Sequence, residues 1–195
     1  MTWPQRITCF WMEALDEAEV RLRRFVFSKA DDEGKCASRW GYHNVSSAPI
    51  GREAFPRSNG YQGDHTGSLD HADPRWPTAC ECGYVFAESD QWQVCRERLY
   101  RRVDTGEVMT TAAAPAGAMW DAPWYAEHGF GRLGSDGICL HVKTPGGEWG
   151  IDCQSRDGGW WTREGAVPCV TARPSILMHT NGYHAFLTNG VLELC

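Results

Sequence analysis

Hydrophobic and polar positions alternate most clearly in the last third of the chain. In "GICLHVKTPGGEWGIDC", Ile138, Leu140 and Val142 alternate with Cys139 and His141. Pro145-Gly146-Gly147 turns the chain, and Trp149, Ile151 and Cys153 alternate again. A period of two on either side of a turn predicts an antiparallel hairpin. "GYHAFLTNGVLELC" repeats the pattern around Asn189-Gly190, two residue types that accept the positive φ of a tight turn. Between these hairpins "CVTARPSILM" predicts a strand with Pro174 at an edge or a bulge. Upstream, "QWQVCRERLYRRV" and "DTGEVMTT" predict a strand, a turn at Asp104-Thr105-Gly106, and a returning strand.

The N-terminal pattern differs. Residues 6–12 predict a first strand. Over residues 13–27, Leu15, Ala18, Leu22 and Phe25 recur at helical spacing, and Glu17, Arg21 and Arg24 lie off that stripe. Asp16 and Glu19 early and Arg21, Arg23 and Arg24 late suit a helix dipole, so this segment predicts the one clear helix. From Gly34 to Ala79 periodicity fades, and "RSNGYQGDHTGSLDHADPRWP" is rich in turn formers. A long irregular stretch inside a compact domain implies something that ties it down. "APAGAMWDAPWYAEHGFG" is a Pro/Gly/Ala-rich connector carrying two tryptophans, and a soft boundary falls there. The expected class is α+β and β-rich: one N-terminal helix, antiparallel hairpins forming a sheet or sandwich, and a long zinc-stapled loop. Residues 1–112 hold the helix, loop and first hairpin; residues 113–195 form an antiparallel β domain, the two making one compact unit.

Composition narrows the function classes. Ten tryptophans and 21 glycines in 195 residues fit a loop-rich β domain. The net charge of −6 argues against binding a phosphate backbone, so nucleic acid is not the expected partner. The basic clusters Arg21 to Arg24 and Arg96 to Arg102 are expected to be solvated. No apolar run approaches a membrane span, and the first twenty residues lack a basic start, an apolar run and a cleavage site, so export is not expected. Nine cysteines, an odd number without an export signal, then point to buried thiols and metal ligands rather than disulfides. Cys9, Cys95, Cys139, Cys153, Cys169 and Cys195 lie in apolar or strand-like runs and are expected in the core.

"WPTACECGY" carries the leading metal signal. Cys80 and Cys82 are one residue apart, tighter than the usual ligand gap of two to four, and Gly83 supplies the positive φ of a ligand-bearing turn. Cys36 and His43, in "KCASRWGYH", flank the irregular stretch on its other side. A Cys₃His zinc site from Cys36, His43, Cys80 and Cys82 would close that stretch into one loop, and closure costs little more for a long loop than for a short one. With four protein ligands such a zinc is structural. Two other readings stand beside it: buried thiols beside a turn, or ligand sets that use Asp64, His65, Asp70 or His71.

A second chemistry is weaker. If a turn spans residues 179–182, Met178 faces Tyr183, Leu177 faces His184 and Ser175 faces Phe186. Ser175 and His184 then lie diagonally on one face of neighbouring strands, and a one-residue slip would separate them. A serine paired with a histidine, with Asp152 to orient the imidazole, is the general plan of an activated hydroxyl. Serine and histidine on adjacent strands are more often ordinary strand residues.

Two resemblances extend this reading. From Gly137 to Leu194, "GGWWTREG", "PSIL" and a histidine hairpin ending in "NGVLEL" resemble the small β domain of serine-peptidase-like proteins associated with bacterial ubiquitination-like operons. That resemblance implies that Ser175 and His184 occupy the motif positions. Tyr183 stands where the family tends to have cysteine and Asn189 where it tends to have aspartate, and the acid is not fixed by the motif. Over nearly the whole chain, "MTWPQRITCFWME", "GYH", the "WPTACECGY" stretch, "WQV", "LYRRVDTGE", "GAMWDAPW" and "TPGGEW" resemble an uncharacterised family of small actinobacteriophage proteins. This implies a phage protein in the bacterial host cytoplasm or incorporated in the virion. The expected function is a zinc-stabilised, non-enzymatic binding or virion-associated structural protein. Its partners would be virion components or a host protein, with self-association left open. The alternatives are a Ser/His hydrolase acting on a protein and an early phage factor that binds a host protein.

Overall fold

The computed structural model describes residues 2–26, 36, 42–55, 70–154 and 158–195. The chain forms β1 (Arg6–Thr8), β2 (Phe10–Val26), β3 (His43–Ser46), β4 (Gly51–Ala54), β5 (Gln91–Arg102), β6 (Val108–Thr110), β7 (Ala118–Asp121), α1 (Pro123–Glu127), β8 (Leu140–Thr144), β9 (Gly147–Gly150), β10 (Thr162–Glu164), β11 (Thr171–Met178), β12 (Tyr183–Thr188) and β13 (Val191–Leu194). The fold is strand-rich, with antiparallel and mixed sheets, as the alternating pattern requires. It divides into two compact units: Met1–Leu15 with Leu99–Cys195, and Asp16–Arg98. Strands β2 and β5 each pass from one unit into the other.

The first unit holds an antiparallel sheet in the order β1-β13-β12-β11-β10. Asn189 (φ 46°) and Gly190 (φ 72°) make the β12–β13 turn, as their residue types demand. A second set of strands pairs the start of β2 in parallel with β7, then β7 with β8 and β8 with β9 antiparallel. Met119, Leu140 and Val142 from this set and Ala172, Ile176, Leu187 and Leu192 from the other share one buried cluster. Alternation puts the intervening residues elsewhere: Ala118 and Trp120 join Phe10, Met12 and Tyr100 in a separate cluster.

The single described helix is α1, five residues with Pro123 at its first turn. The segment expected to be a helix, 13–27, instead continues as β2 to Val26. Ala18, Val20, Leu22 and Arg24 are all buried, a period of two that Arg24 conceals in the sequence because arginine is rarely an inward residue. Its guanidinium lies 3.4 Å from the Trp92 ring centroid and 5.2 Å from that of Phe86, and it donates to the Ala87 carbonyl. Flat aromatic faces attract the cation, so a strand can turn it inward. Arg24 is therefore not solvated, contrary to expectation. The Gly34–Ala79 stretch is also more regular than its composition suggests. β3 and β4 lie within it and both pair antiparallel with β2.

Not every cysteine expected in the core is there. Cys9, Cys95 and Cys139 are buried and Cys153 is half-buried, but Cys169 and Cys195 are exposed. Burial pushes the Cys9 thiol up to about 12, as suits an inert packing residue.

Asp152 and Arg163 fasten the first unit internally. The Asp152 carboxylate accepts from Leu140 N–H (2.9 Å) and from Arg163 Nε (2.8 and 3.1 Å). The same guanidinium donates to both Asp136 oxygens at 2.7 and 2.5 Å and to the Ile138 carbonyl. Both partners of the Arg163–Asp152 pair are almost fully buried. Arg163→Met leaves a buried carboxylate without its cation and is expected to cost about 3–5 kcal/mol of stability by denaturant unfolding. The hydrogen bond from Arg163 holds the Asp136 carboxyl below its ordinary value. A depressed carboxylate stabilises the fold above its unfolded value of about 3.9, and this is lost as pH falls through the lower folded value. The stability gap between wild type and Asp136→Asn should therefore be full at neutral pH and close below about pH 4. A gap that stays constant down to pH 2 would contradict this.

Candidate metal centre

Cys80, Glu81, Cys82 and Gly83 form a tight loop between the bridged residues Ala79 and Val85. Gly83 N–H donates to the Cys80 carbonyl (2.9 Å), Cys80 N–H donates to the Tyr84 carbonyl (2.7 Å), and Gly83 has φ +93°. The one-residue gap is workable because this loop curls both sulfurs to one side. His43 opens β3 opposite Val26 of β2. Its ring stacks on Tyr84 (centroids 4.1 Å apart, planes 9° apart), and the Tyr84 hydroxyl donates to Asp90 Oδ2 at 3.0 Å. Cys36 and Cys80 pack with Phe86, flanked by Val26, Val45 and Tyr84.

These elements bring together the four residues expected as ligands. One donor atom each from Cys36, His43, Cys80 and Cys82 lies within 4.8 Å of all the others, so the group could hold a metal ion. Cys36 Sγ is 3.5 Å from Cys80 Sγ, and Cys82 Sγ is 3.3 Å from His43 Nδ1. A tetrahedral cation with bonds of about 2.0–2.3 Å holds neighbouring donors roughly 3.3–3.8 Å apart, so the spacing fits. The electrostatics point the same way. Burial first, and then the neighbouring thiols of Cys36 and Cys82, push the Cys80 thiol above its ordinary value. Several thiolates this close repel one another unless a cation sits among them.

Of the other expected donors, the described Asp70 and His71 do not join this group. His71 stacks on Trp92 (4.3 Å) and meets Trp76 edge-on. Asp70 accepts from Ala72 N–H at 3.0 Å. Asp64 and His65 lie outside the described residues.

Ser175 and His184 do meet, with Ser175 Oγ 2.9 Å from His184 Nε2. Met178 faces Tyr183 and Leu177 faces His184, but the register shifts between Ala172 and Ile176, where Pro174 lies, so the expected Ser175–Phe186 pair is absent. Asp152 does not orient this histidine. Both its oxygens, just past β9, are taken by Arg163, one of them also by Leu140 N–H.

One grouping escapes the sequence. Cys139, His141 and Cys153, read there as alternating strand residues, bring three further donor atoms within 4.8 Å of one another. The signal was present as Cys-x-His on one strand with a cysteine just past the returning strand, but nothing in the pattern shows that Cys153 folds back. The neighbouring Cys139 thiol holds Cys153 below its ordinary value, and the Cys153 thiol together with burial holds Cys139 above it.

No protein-family model matches the chain, and no match was found among curated proteins or solved structures.

Proposed function

We propose that this chain is a zinc-stapled, β-rich binding protein without catalytic activity. The observation that carries the reading is the convergence of Cys36, His43, Cys80 and Cys82 donor atoms within 4.8 Å. Three sulfurs and one imidazole nitrogen are a donor set that zinc favours, and four protein ligands leave no position for substrate, so the ion's role is structural. It would fasten the loop at Cys80–Cys82 to the start of β3 and to Cys36. Contact with a protein partner is supported by exposed apolar side chains, among them Leu177 on β11 and Phe186 on β12. The phage assignment, with virion components or a host protein as partner, follows from the motif resemblance along the chain. Protein purified without chelator should contain zinc, and Cys80→Ser should lose one equivalent of it. Metal binding energy is folding energy, so a chelator should lower the unfolding midpoint of wild type by more than that of Cys80→Ser. An equal chelator effect on both would contradict the site. Stoichiometric amounts in purified virions, read by mass spectrometry, would support the virion role, and absence would point to an early factor.

The Ser175–His184 contact supports a second reading, a serine hydrolase. A hydroxyl hydrogen-bonded to an imidazole nitrogen is the first requirement of an activated nucleophile. If this reading holds, a fluorophosphonate probe labels wild type and labelling disappears in Ser175→Ala. Well-folded wild type that does not label excludes it.

A further inference from the structure

We propose that Cys139, His141 and Cys153 form a second metal site, distinct from the four-ligand centre, whose fourth coordination position takes water or a small anionic donor. The site is built on and beside the β8–β9 hairpin. His141 lies on β8 opposite Gly150 of β9. Cys139 precedes it by two residues and shares its face, while Leu140 and Val142 point the other way into the main core of the unit. Cys153 follows β9 and bridges Gly131. Its Sγ lies 3.5 Å from His141 Nε2.

Two glycines make room for the sulfurs. A Cβ at Gly131 would stand 2.9 Å from Cys139 Sγ. A Cβ at Gly150 would collide with Cys153 Sγ and stand 3.0 Å from His141 Nε2. No side chain other than glycine fits either place while the three donors keep their positions.

The histidine is poorly served as a packing residue. His141 is 2% exposed, its Nδ1 has no hydrogen-bond partner, and the contact of its Nε2 is a cysteine sulfur. Buried polar groups are almost always paired with good donors or acceptors. A cation bound at Nε2 would replace this weak sulfur contact with a strong bond, while Nδ1 would keep the proton and stay without a partner. Tyr125, with ring centroid 4.3 Å away, and Trp120, at 5.9 Å, hold the ring in place.

The fourth position is open among the described residues. Asp152 is adjacent in sequence, but Arg163 and Leu140 N–H occupy its carboxylate. Cys153 is half-buried, so the site reaches the surface. Two thiolates, one imidazole and a free position form the donor arrangement of metal sites that bind an exogenous ligand, in contrast to the closed set at Cys80. The ion is a thiophilic divalent cation, and zinc is the most suitable.

Zinc content of the whole chain, purified with reductant and without chelator, tests the site. Wild type should carry two equivalents, Cys82→Ala and Cys153→Ala one each, and the double variant none. Zinc lost by Cys153→Ala but not by Cys82→Ala supports the second site even if the first fails. Zinc unaffected by Cys153→Ala overturns it, as does a Cys139–Cys153 disulfide in place of metal. Alkylation of wild type, mapped by mass spectrometry, does not depend on a variant folding. Cys153 should resist iodoacetamide until a chelator is added, and equal labelling with and without chelator overturns the site. In cobalt-loaded Cys82→Ala, azide should shift the visible bands; an unchanged spectrum overturns the open position.

Discussion

Three thiol sulfurs and an imidazole nitrogen crowded within 4.8 Å impose the constraint on which the Asp16–Arg98 unit depends. Such a group is stable only if its charges are neutralised by protons or by a cation. Protons leave four soft, weakly paired donors; a cation gives each a strong bond. Among the unit's described residues the buried apolar clusters are small, Val20, Leu22, Trp76 and Val94 in one and Cys36, Cys80 and Phe86 in the other. Small cores gain most from a cross-link, because the entropy of a long closed segment is otherwise unopposed. The proposed staple sits inside the second of these clusters, so ligation and packing would reinforce one another.

The Met1–Leu15 and Leu99–Cys195 unit is organised differently. It has a larger shared core between two sets of strands and a buried Asp152–Arg163 pair that extends to Asp136 at the surface. Its thiols are therefore not needed to hold it together. That contrast is why the Cys139, His141 and Cys153 group reads as a site for something else. Glycine at 131 and 150 keeps the space clear, and the strand face carrying Cys139 and His141 is not the face that fills the core.

Much of this was legible in the sequence. Period-two alternation located β8, β9, β12 and β13, and Asn189-Gly190 fixed the last hairpin. The spacing of Cys36, His43, Cys80 and Cys82 around an irregular stretch led to the group the structure assembles. The helix expected over 13–27 was not a failure of periodicity as such. Leu15, Ala18, Leu22 and Phe25 satisfy a helical count, while Ala18, Val20, Leu22 and Arg24 satisfy a strand, which pairing with β3 and β4 and the stacking of Arg24 on Trp92 both favour. That contact joins residues far apart in the chain, so no local pattern contains it. The same holds for Cys153, whose return towards His141 depends on Gly150 and Gly131. Asp152 illustrates the converse: its type suited a catalytic acid, but the position of Arg163 determined its partner.

The central claim is that zinc binds Cys36, His43, Cys80 and Cys82. X-ray absorption at the zinc edge of Cys153→Ala, which isolates this centre, tests it most directly. The account predicts a first shell of three sulfurs at about 2.3 Å and one nitrogen at about 2.0 Å. A shell made only of nitrogen and oxygen, or protein that holds no zinc, would contradict it.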